Sequence, residues 1–278
     1  MSRSVALVTD STALLPAETA AARDIIVVPL QVVVGSKAYD EGVDAEATPD
    51  TIAEALKAWS PVSTSRPAPA VFLDAYEQAA RDGAEAVLSI HLSGALSGTF
   101  ESARLAARQA SVPVRAVDTR QLGMGVGFAV LTAADVLDDG GSAEKAAGAA
   151  LARADGTTSL FYVDTLEYLR RGGRIGAAAA LLGSALAVKP LLQLVDGRVG
   201  TVEKVRTAGR ALSRLEELAV AAAENRQVDV AVAHLANPDR AESLAAQLDG
   251  HEVTVRPVGA VIGAHVGPGM VAVVVSLR

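Results

Sequence analysis

The stretch AVLSIHLSGALSGTFESARLAARQASVPVRAVD, Ala86–Asp118, decides the fold class. It opens on Ala86–His91, a short run of Val, Leu and Ile bounded by a Ser- and Gly-rich loop. It continues from Ser97 to Ala110 as a helix, with Ser97 near its start, and closes on a second short apolar run, Val114–Asp118. Strand, helix and strand in that order form the crossover that joins two parallel strands.

The same alternation extends in both directions. Toward the N-terminus, Val5–Thr9 is a mostly apolar strand that stops at Asp10-Ser11-Thr12. Ile25–Val34 reads as a strand pair or one bent strand, because Pro29 inside it argues for an edge or a bulge. Thr48–Trp59 has helical spacing, with Thr48 as N-cap and Pro49 at the first helical position. Ala70–Arg81 is an amphipathic helix ended by Gly83. After Asp118 a long helix runs to about Leu137, and another spans Ala143–Ala154. Strands separated by helices predict a mostly parallel sheet covered by helices, the first of two α/β domains, residues 1–157.

Beyond Ala154–Thr158 the texture changes, and residues 158–278 read as a second, mixed α/β domain. Ser159–Val163 is a strand, Leu166–Arg171 a short helix, and Gly176–Ala185 an apolar helix. Pro190–Val195 and Val199–Val205 flank Asp196-Gly197, the signal of a tight hairpin. Helices over Thr207–Glu224 and Asn237–Leu248 alternate with strands at Val228–His234, Val253–Pro257 and Val271–Leu277. A Gly-rich segment, Val261–Gly269, lies between the last two strands and reads as a special backbone path.

Composition removes whole classes of function. The 278 residues contain no cysteine, which excludes a disulfide scaffold, a thiolate zinc site, an iron–sulfur cluster and a Cys nucleophile. The formal net charge of −7 and the absence of a long Lys/Arg cluster argue against nucleic acid. Half the residues are hydrophobic but only 3% are aromatic, so the core must be built from Ala, Val, Leu and Ile. Met1–Asp10 reads as a first strand and not as a signal peptide; the lack of cysteine fits a reducing cytosol, and a cytoplasmic protein is expected. The most apolar stretch, Ile175–Leu194, is broken by Gly183, Ser184, Lys189 and Pro190 and is not expected to span a bilayer.

Four segments place small polar groups at the C-terminal ends of expected strands: Asp10-Ser11-Thr12, Ser63-Thr64-Ser65, Ser93 to Thr99, and Asp118-Thr119. That edge of an open parallel sheet is where ligands bind, and helices starting there suit a carboxylate or phosphate. Ser and Thr at such places also serve simply as helix caps. Gly94-Ala95-Leu96-Ser97-Gly98 is not a nucleophile elbow, which needs Gly two places before the Ser. A serine hydrolase would require His91, the nearest His in sequence, within reach of Ser93 or Ser97. Gly123-Met124-Gly125-Val126-Gly127 lacks the third Gly of a dinucleotide fingerprint, since Phe128 stands there; close helix packing explains it. No His/Asp/Glu spacing suggests a metal. In Leu169–Ile175 two glycines allow close backbone approach, and Arg174 then enters an apolar segment, where it either needs an anionic partner or is a loop Arg that stays in water. His265, inside the Gly-rich segment, can donate to a carboxylate or shuttle a proton, and the segment alone also reads as a turn with an incidental His.

Taken in order, these segments resemble the DegV family, the FakB-like fatty-acid-binding proteins that serve bacterial fatty acid kinase. The matching pieces are Val8–Thr12, Ser63–Pro67, Leu96–Ala103, Asp118-Thr119, Leu166–Ile175, Lys189-Pro190, Glu203–Arg206 and Gly263–Gly269, and they span nearly the whole chain. Each is weak alone; the ordered set is specific.

The resemblance implies two α/β domains with an acyl chain buried in the protein and its carboxylate near their junction. It implies that the carboxylate is bound by Thr64 and Ser97, with Ser93 in the same loop as the alternative, and it places Ser65, Arg174 and His265 in the same group. Arg206, Gly173 and Gly267 would face the acyl chain or the kinase. The family's usual Thr-Ser-Gln-Pro reads Thr64-Ser65-Arg66-Pro67 here, which adds a charge, and its Ser-Ser pair reads Ser93-Gly94, which removes a hydroxyl. The implied ligand is a fatty acid of the palmitate, stearate or oleate class, with no other cofactor. The expected role is a carrier without turnover of its own. The implied partners are an ATP-dependent fatty acid kinase subunit and, transiently, a membrane surface. A binder of another small anionic metabolite is the remaining alternative.

Overall fold

The structure is a computed structural model that describes residues 4–181, 189–223, 226–248 and 250–278. Its strands, in chain order, are β1 (Val5–Asp10), β2 (Ile25–Val28), β3 (Gln31–Val34), β4 (Lys37–Asp40), β5 (Val62–Ser65), β6 (Ala86–His91) and β7 (Val114–Asp118). They continue with β8 (Thr157–Tyr162), β9 (Lys189–Val195), β10 (Arg198–Val205), β11 (Val228–His234), β12 (Val253–Pro257) and β13 (Val271–Leu277). Among the described residues no helix is long and apolar enough to cross a membrane.

The chain forms two compact units, residues 1–31 with 65–156, and residues 32–64 with 157–278. This corrects the contiguous division expected at 157/158: the segment 32–64 belongs with the second unit. Pro29, just after β2, has no N–H to extend the ladder, and β3, β4 and β5 pair with one another as a three-stranded sheet. The helix Pro49–Lys57 packs on the helix Ala260–Val266 of the same unit.

The first unit is a four-stranded sheet in the order β2-β1-β6-β7, with every pair parallel. Alternate residues of its strands enter different layers, as the period of two requires. Leu7, Leu88 and Ile90 pack with Val126, Val130 and Ala147 from helices Met124–Asp138 and Ala143–Asp155. Val8 and Val87 pack with Phe72, Tyr76 and Ala103 from helices Pro69–Arg81 and Thr99–Ala107. At about 25 cal/mol per Å² of apolar area, these two layers are the main source of the unit's stability. Gly127 has no room for a side chain: a Cβ there would stand 2.6 Å from the Ala13 carbonyl oxygen, so the long helix sits against the turn that follows β1.

The second unit carries a six-stranded mixed sheet, β10-β9-β8-β13-β11-β12, antiparallel except for the parallel pair β11–β12. Helices Ala208–Ala223 and Pro238–Ala246 pack on it through Ala211, Leu215, Ala241 and Leu244. The expected hairpin is present: Asp196 (φ 49°) and Gly197 (φ 74°) both adopt the left-handed turn between β9 and β10. The expected helix Gly176–Ala185 is replaced by a 3₁₀ turn over Gly176–Leu181, and the rest of that expectation lies outside the described residues. The Gly-rich segment, read as an irregular path, instead contains a helix, Ala260–Val266, that ends at Gly267 (φ 75°). Its Gly263 brings the helix onto Leu235 and Ile52, where a Cβ would lie 3.3 Å and 3.8 Å from their side chains. Tertiary packing outweighs the low helix propensity of that glycine.

Candidate functional site

In the second unit two of the sequence motifs meet. The segment from Asp164 to Arg174 and the segment from Gly263 to Gly269 pack together through glycines that admit side chains from the facing strand of chain. A Cβ on Gly267 would overlap the ring of Tyr168; one on Gly269 would overlap the carboxylate of Asp164; one on Gly172 would overlap the imidazole of His265. Gly267 (φ 75°) and Gly269 (φ 89°) also adopt backbone angles that only glycine takes without strain.

Asp164 is fixed from several sides. Its Oδ1 accepts from the Tyr162 hydroxyl at 2.5 Å, and its backbone carbonyl accepts from Lys189 Nζ at 2.9 Å. Burial first, and the carboxylate second, push the Tyr162 phenol up from its ordinary range. Glu41, buried on the 32–64 segment, accepts from the Val261 N–H at 2.8 Å and so caps the start of the Ala260–Val266 helix. The Glu41 contact anchors the start of the helix that carries His265, and Gly267 and Gly269, packed on Tyr168 and Asp164, place the chain just past its end.

His265 sits in the last turn of that helix, and its Nε2 lies 2.8 Å from Oγ1 of Thr64 at the end of β5. Burial first, and the nearby Arg174 charge second, hold the imidazole down to about 4, so the ring is neutral near pH 7. Arg174 is half-buried and its Nη1 donates to the Gly172 carbonyl at 2.5 Å. The result is a neutral donor pair, Thr64 and His265, beside a guanidinium. This set suits a carboxylate oxygen without a one-to-one ion pair.

The neighbouring basic residues are used differently. Arg170 and Arg171 both bind Glu167, through contacts of 2.7 Å to its Oε1, and this holds the Glu167 carboxyl down to about 2. Arg171 also lies 5.2 Å over the ring of Trp59, which is 72% exposed. Arg206 is exposed just past the end of β10, and Gly173 (φ 70°) is exposed with no atom of the described residues within 4 Å of its Cβ position.

In the first unit the remaining candidates surround the loop after β6. Ser93 is buried; its Oγ accepts from the Ala95 N–H at 3.2 Å, and its carbonyl accepts from Leu96 and Ser97. Ser97 Oγ lies 2.8 Å from Thr99 Oγ1 and accepts from the Thr99 N–H at 3.3 Å, at the start of the helix Thr99–Ala107. Asp118 accepts from the Gly94 N–H at 3.1 Å. Arg66 crosses the same loop with Nη1 3.4 Å from the Gly98 carbonyl. Ser65 is exposed and its hydroxyl reaches the Arg66 carbonyl at 3.3 Å. The hydroxyls of Ser93 and Ser97 therefore shape a turn and a helix start, whatever else they do.

The serine-hydrolase alternative fails on His91. Its Nδ1 is 2.9 Å from Asp10 Oδ2, and its Nε2 is 2.6 Å from Ser89 Oγ, which in turn lies 2.8 Å from the Tyr76 hydroxyl. Asp10, Ser89, His91 and Tyr76 are all fully buried. The order Asp–His–Ser resembles a catalytic triad, but it is sealed in the layer beneath the helix Pro69–Arg81 and reaches neither Ser93 nor Ser97. Asp10 also accepts from the Thr12 N–H and hydroxyl, so Asp10-Ser11-Thr12 works as a turn and anchor for this chain. Sequence reading missed Ser89 and Tyr76. The signal for Ser89 was its place two residues before His91, on the same face of one strand. Gly172 and Glu41 were also missed as partners of the His265 helix.

Comparison with known proteins agrees with the whole chain. The profile of the DegV family, described as "uncharacterised protein, DegV family", matches residues 4–278. A DegV domain-containing protein of Streptomyces coelicolor is 54% identical over 283 residues, covering 100% of each chain. The solved structure of a fatty-acid-binding DegV family protein from Thermus thermophilus superposes with a TM-score of 0.91 at 35% identity, over 100% of both chains. That of DegV from Bacillus subtilis, described as a fatty acid binding protein, does so with a TM-score of 0.90 at 33% identity, again over 100% of both. With this fold, these motifs and these relatives, the chain belongs to the DegV family.

Proposed function

We propose that this protein binds a long-chain fatty acid, of the palmitate, stearate or oleate class, and presents its carboxylate to an ATP-dependent fatty acid kinase that forms the acyl phosphate. The protein is a carrier, and the phosphoryl transfer belongs to the partner. The observation that carries this reading is the Thr64–His265 pair, a neutral hydroxyl–imidazole donor set beside Arg174. The fatty acid bound by the Thermus thermophilus relative, at 35% identity over the whole chain, gives the ligand class. Burial of an acyl chain contributes about 0.8 kcal/mol per methylene, so the head group only has to orient what the tail binds. Ser65, Ser93 and Ser97 supply further hydroxyls to the proposal. Arg206 and Gly173, both exposed, are its kinase-facing residues, and loading takes place in transient contact with a membrane surface.

The experiment is uptake by the delipidated full-length protein. It should retain about one equivalent of oleate through gel filtration, and addition of a fatty acid kinase and ATP should yield acyl hydroxamate on trapping with hydroxylamine. Failure to retain any of palmitate, stearate or oleate overturns the carrier reading. Retention without acyl phosphate overturns the presentation step alone.

A further inference from the structure

We propose that Gly172 fixes the tautomer of His265, with the ring proton on Nε2, so that Thr64 accepts from the ring and directs its own hydroxyl proton to the ligand. The observation is the way the glycine meets the ring. A Cβ built on Gly172 would overlap Nδ1 and would stand 2.8 Å from Cε1 and 3.3 Å from Cγ, the two carbons that flank Nδ1. Nδ1 is thus the nearest ring atom, approached from the outer edge of the ring, along the direction in which an Nδ1 proton would point. The glycine's own Cα–H occupies that direction. Nδ1 is buried and meets no hydrogen-bond partner among the described residues.

Two placements of the single ring proton can be compared. On Nδ1 it would be a buried N–H aimed at a Cα–H, a donor without an acceptor. On Nε2 it has an acceptor 2.8 Å away, Thr64 Oγ1, and Nδ1 keeps a lone pair that faces a weakly polar Cα–H. The second placement is favoured on both counts. The same contact offers no acceptor for a second ring proton: the Nδ1–H of an imidazolium would point at Gly172. The neutral pair then has one direction of donation, His265 Nε2–H to Thr64 Oγ1, and the Thr64 hydroxyl proton is left for an external acceptor.

This assigns roles within the fatty-acid reading, on which its ligand half rests. Thr64 is the group that touches the carboxylate. His265 holds Thr64 as a donor and takes no proton from it. Gly172 is a positioning residue that acts through His265, and Arg174, which donates to the Gly172 carbonyl, keeps the glycine in place.

The test uses full-length delipidated protein labelled with ¹⁵N-histidine, read by long-range ¹H–¹⁵N correlation at pH 7, with the His265 signals assigned by their loss in His265→Gln. The expected result is the neutral pattern with a protonated Nε2 and an unprotonated Nδ1. A protonated Nδ1, or both nitrogens protonated, overturns the proposal. This readout needs no ligand, so it separates from the carrier reading: oleate uptake with the wrong tautomer sinks only this inference, and the right tautomer without uptake of any fatty acid sinks only that reading. A second measurement follows the consequence. Gln places an amide N–H where Nε2 stands and Asn places it where Nδ1 stands, so His265→Gln should bind oleate about tenfold more tightly than His265→Asn, the value of one hydrogen bond. Equal affinities would contradict the directional role.

Discussion

Gly172 and His265 share a space that only a residue without a side chain allows: a Cβ on the glycine would overlap Nδ1 of the ring, while Nε2 on the other side lies 2.8 Å from Thr64 Oγ1. Gly172→Ala must therefore displace either the ring or the loop. We expect a destabilisation of about 1–3 kcal/mol and a loss of oleate affinity of about tenfold as the Thr64 contact breaks. Gly173→Ala is the control, because among the described residues nothing lies within 4 Å of its Cβ position. Its φ of 70° alone should cost about 1 kcal/mol, with affinity preserved. Chemical denaturation and oleate titration of both variants check this; equal effects would contradict the role given to the ring contact.

The depressed His265 sets a pH window. The unfolded chain takes up a proton at this ring below its ordinary value of 6.5, whereas the folded protein resists until about pH 4. Between these values the unfolded state holds more protons, so stability falls as pH drops from about 6.5 toward 4. The full effect is at most about 3 kcal/mol from this group. Unfolding free energies of the wild type and His265→Gln, measured from pH 7 to pH 4, should differ in slope by that amount. Parallel curves would contradict it.

The buried chain from Asp10 through His91 and Ser89 to Tyr76 predicts a structural effect. Ser89→Ala leaves His91 Nε2 and the Tyr76 hydroxyl without their shared partner, and should cost about 1–3 kcal/mol. Thermal melting should shift down while the oleate stoichiometry stays at one. Loss of binding at an unchanged melting temperature would show that this chain serves a ligand.

Two other glycines separate backbone from side-chain collisions. A Cβ at Gly127 meets the Ala13 carbonyl oxygen at 2.6 Å, whereas one at Gly98 meets the flexible end of Arg66. Gly127→Ala should destabilise by about 2 kcal/mol or more. Gly98→Ala should stay within about 1 kcal/mol, because Arg66 swings aside. Melting curves of the two variants decide this, and a reversed order would contradict the packing described for the long helix.

Much of the fold was legible in local signals. The crossover over Ala86–Asp118, the Thr48 cap with its bond to the Thr51 N–H, and the Asp196-Gly197 turn all follow from patterns of a few residues. What was not legible depends on distant partners. Residues 32–64 join the second unit through packing, such as that of the helix Pro49–Lys57 on the helix Ala260–Val266, that no local pattern encodes. The helix Ala260–Val266 was hidden by the glycines in and after it: Gly263 serves packing on Leu235 and Ile52, while Gly267 and Gly269 end the helix with positive φ and pack on Tyr168 and Asp164. In the candidate site, the motifs around Thr64, Arg174 and His265 stood out in the sequence. The pairing of Thr64 with a ring 201 positions away, and the part of Gly172 in orienting it, did not. The Ser89 partner of His91 was within reach of a two-residue periodicity but needed the fold to show that both point inward.

Native mass spectrometry of the freshly purified protein, followed by solvent extraction, tests the central claim most directly. The account predicts a stoichiometric mass increment that extracts as a long-chain fatty acid, and its loss or weakening in Thr64→Val. A protein that is empty as purified and takes up neither added oleate nor added palmitate would contradict it.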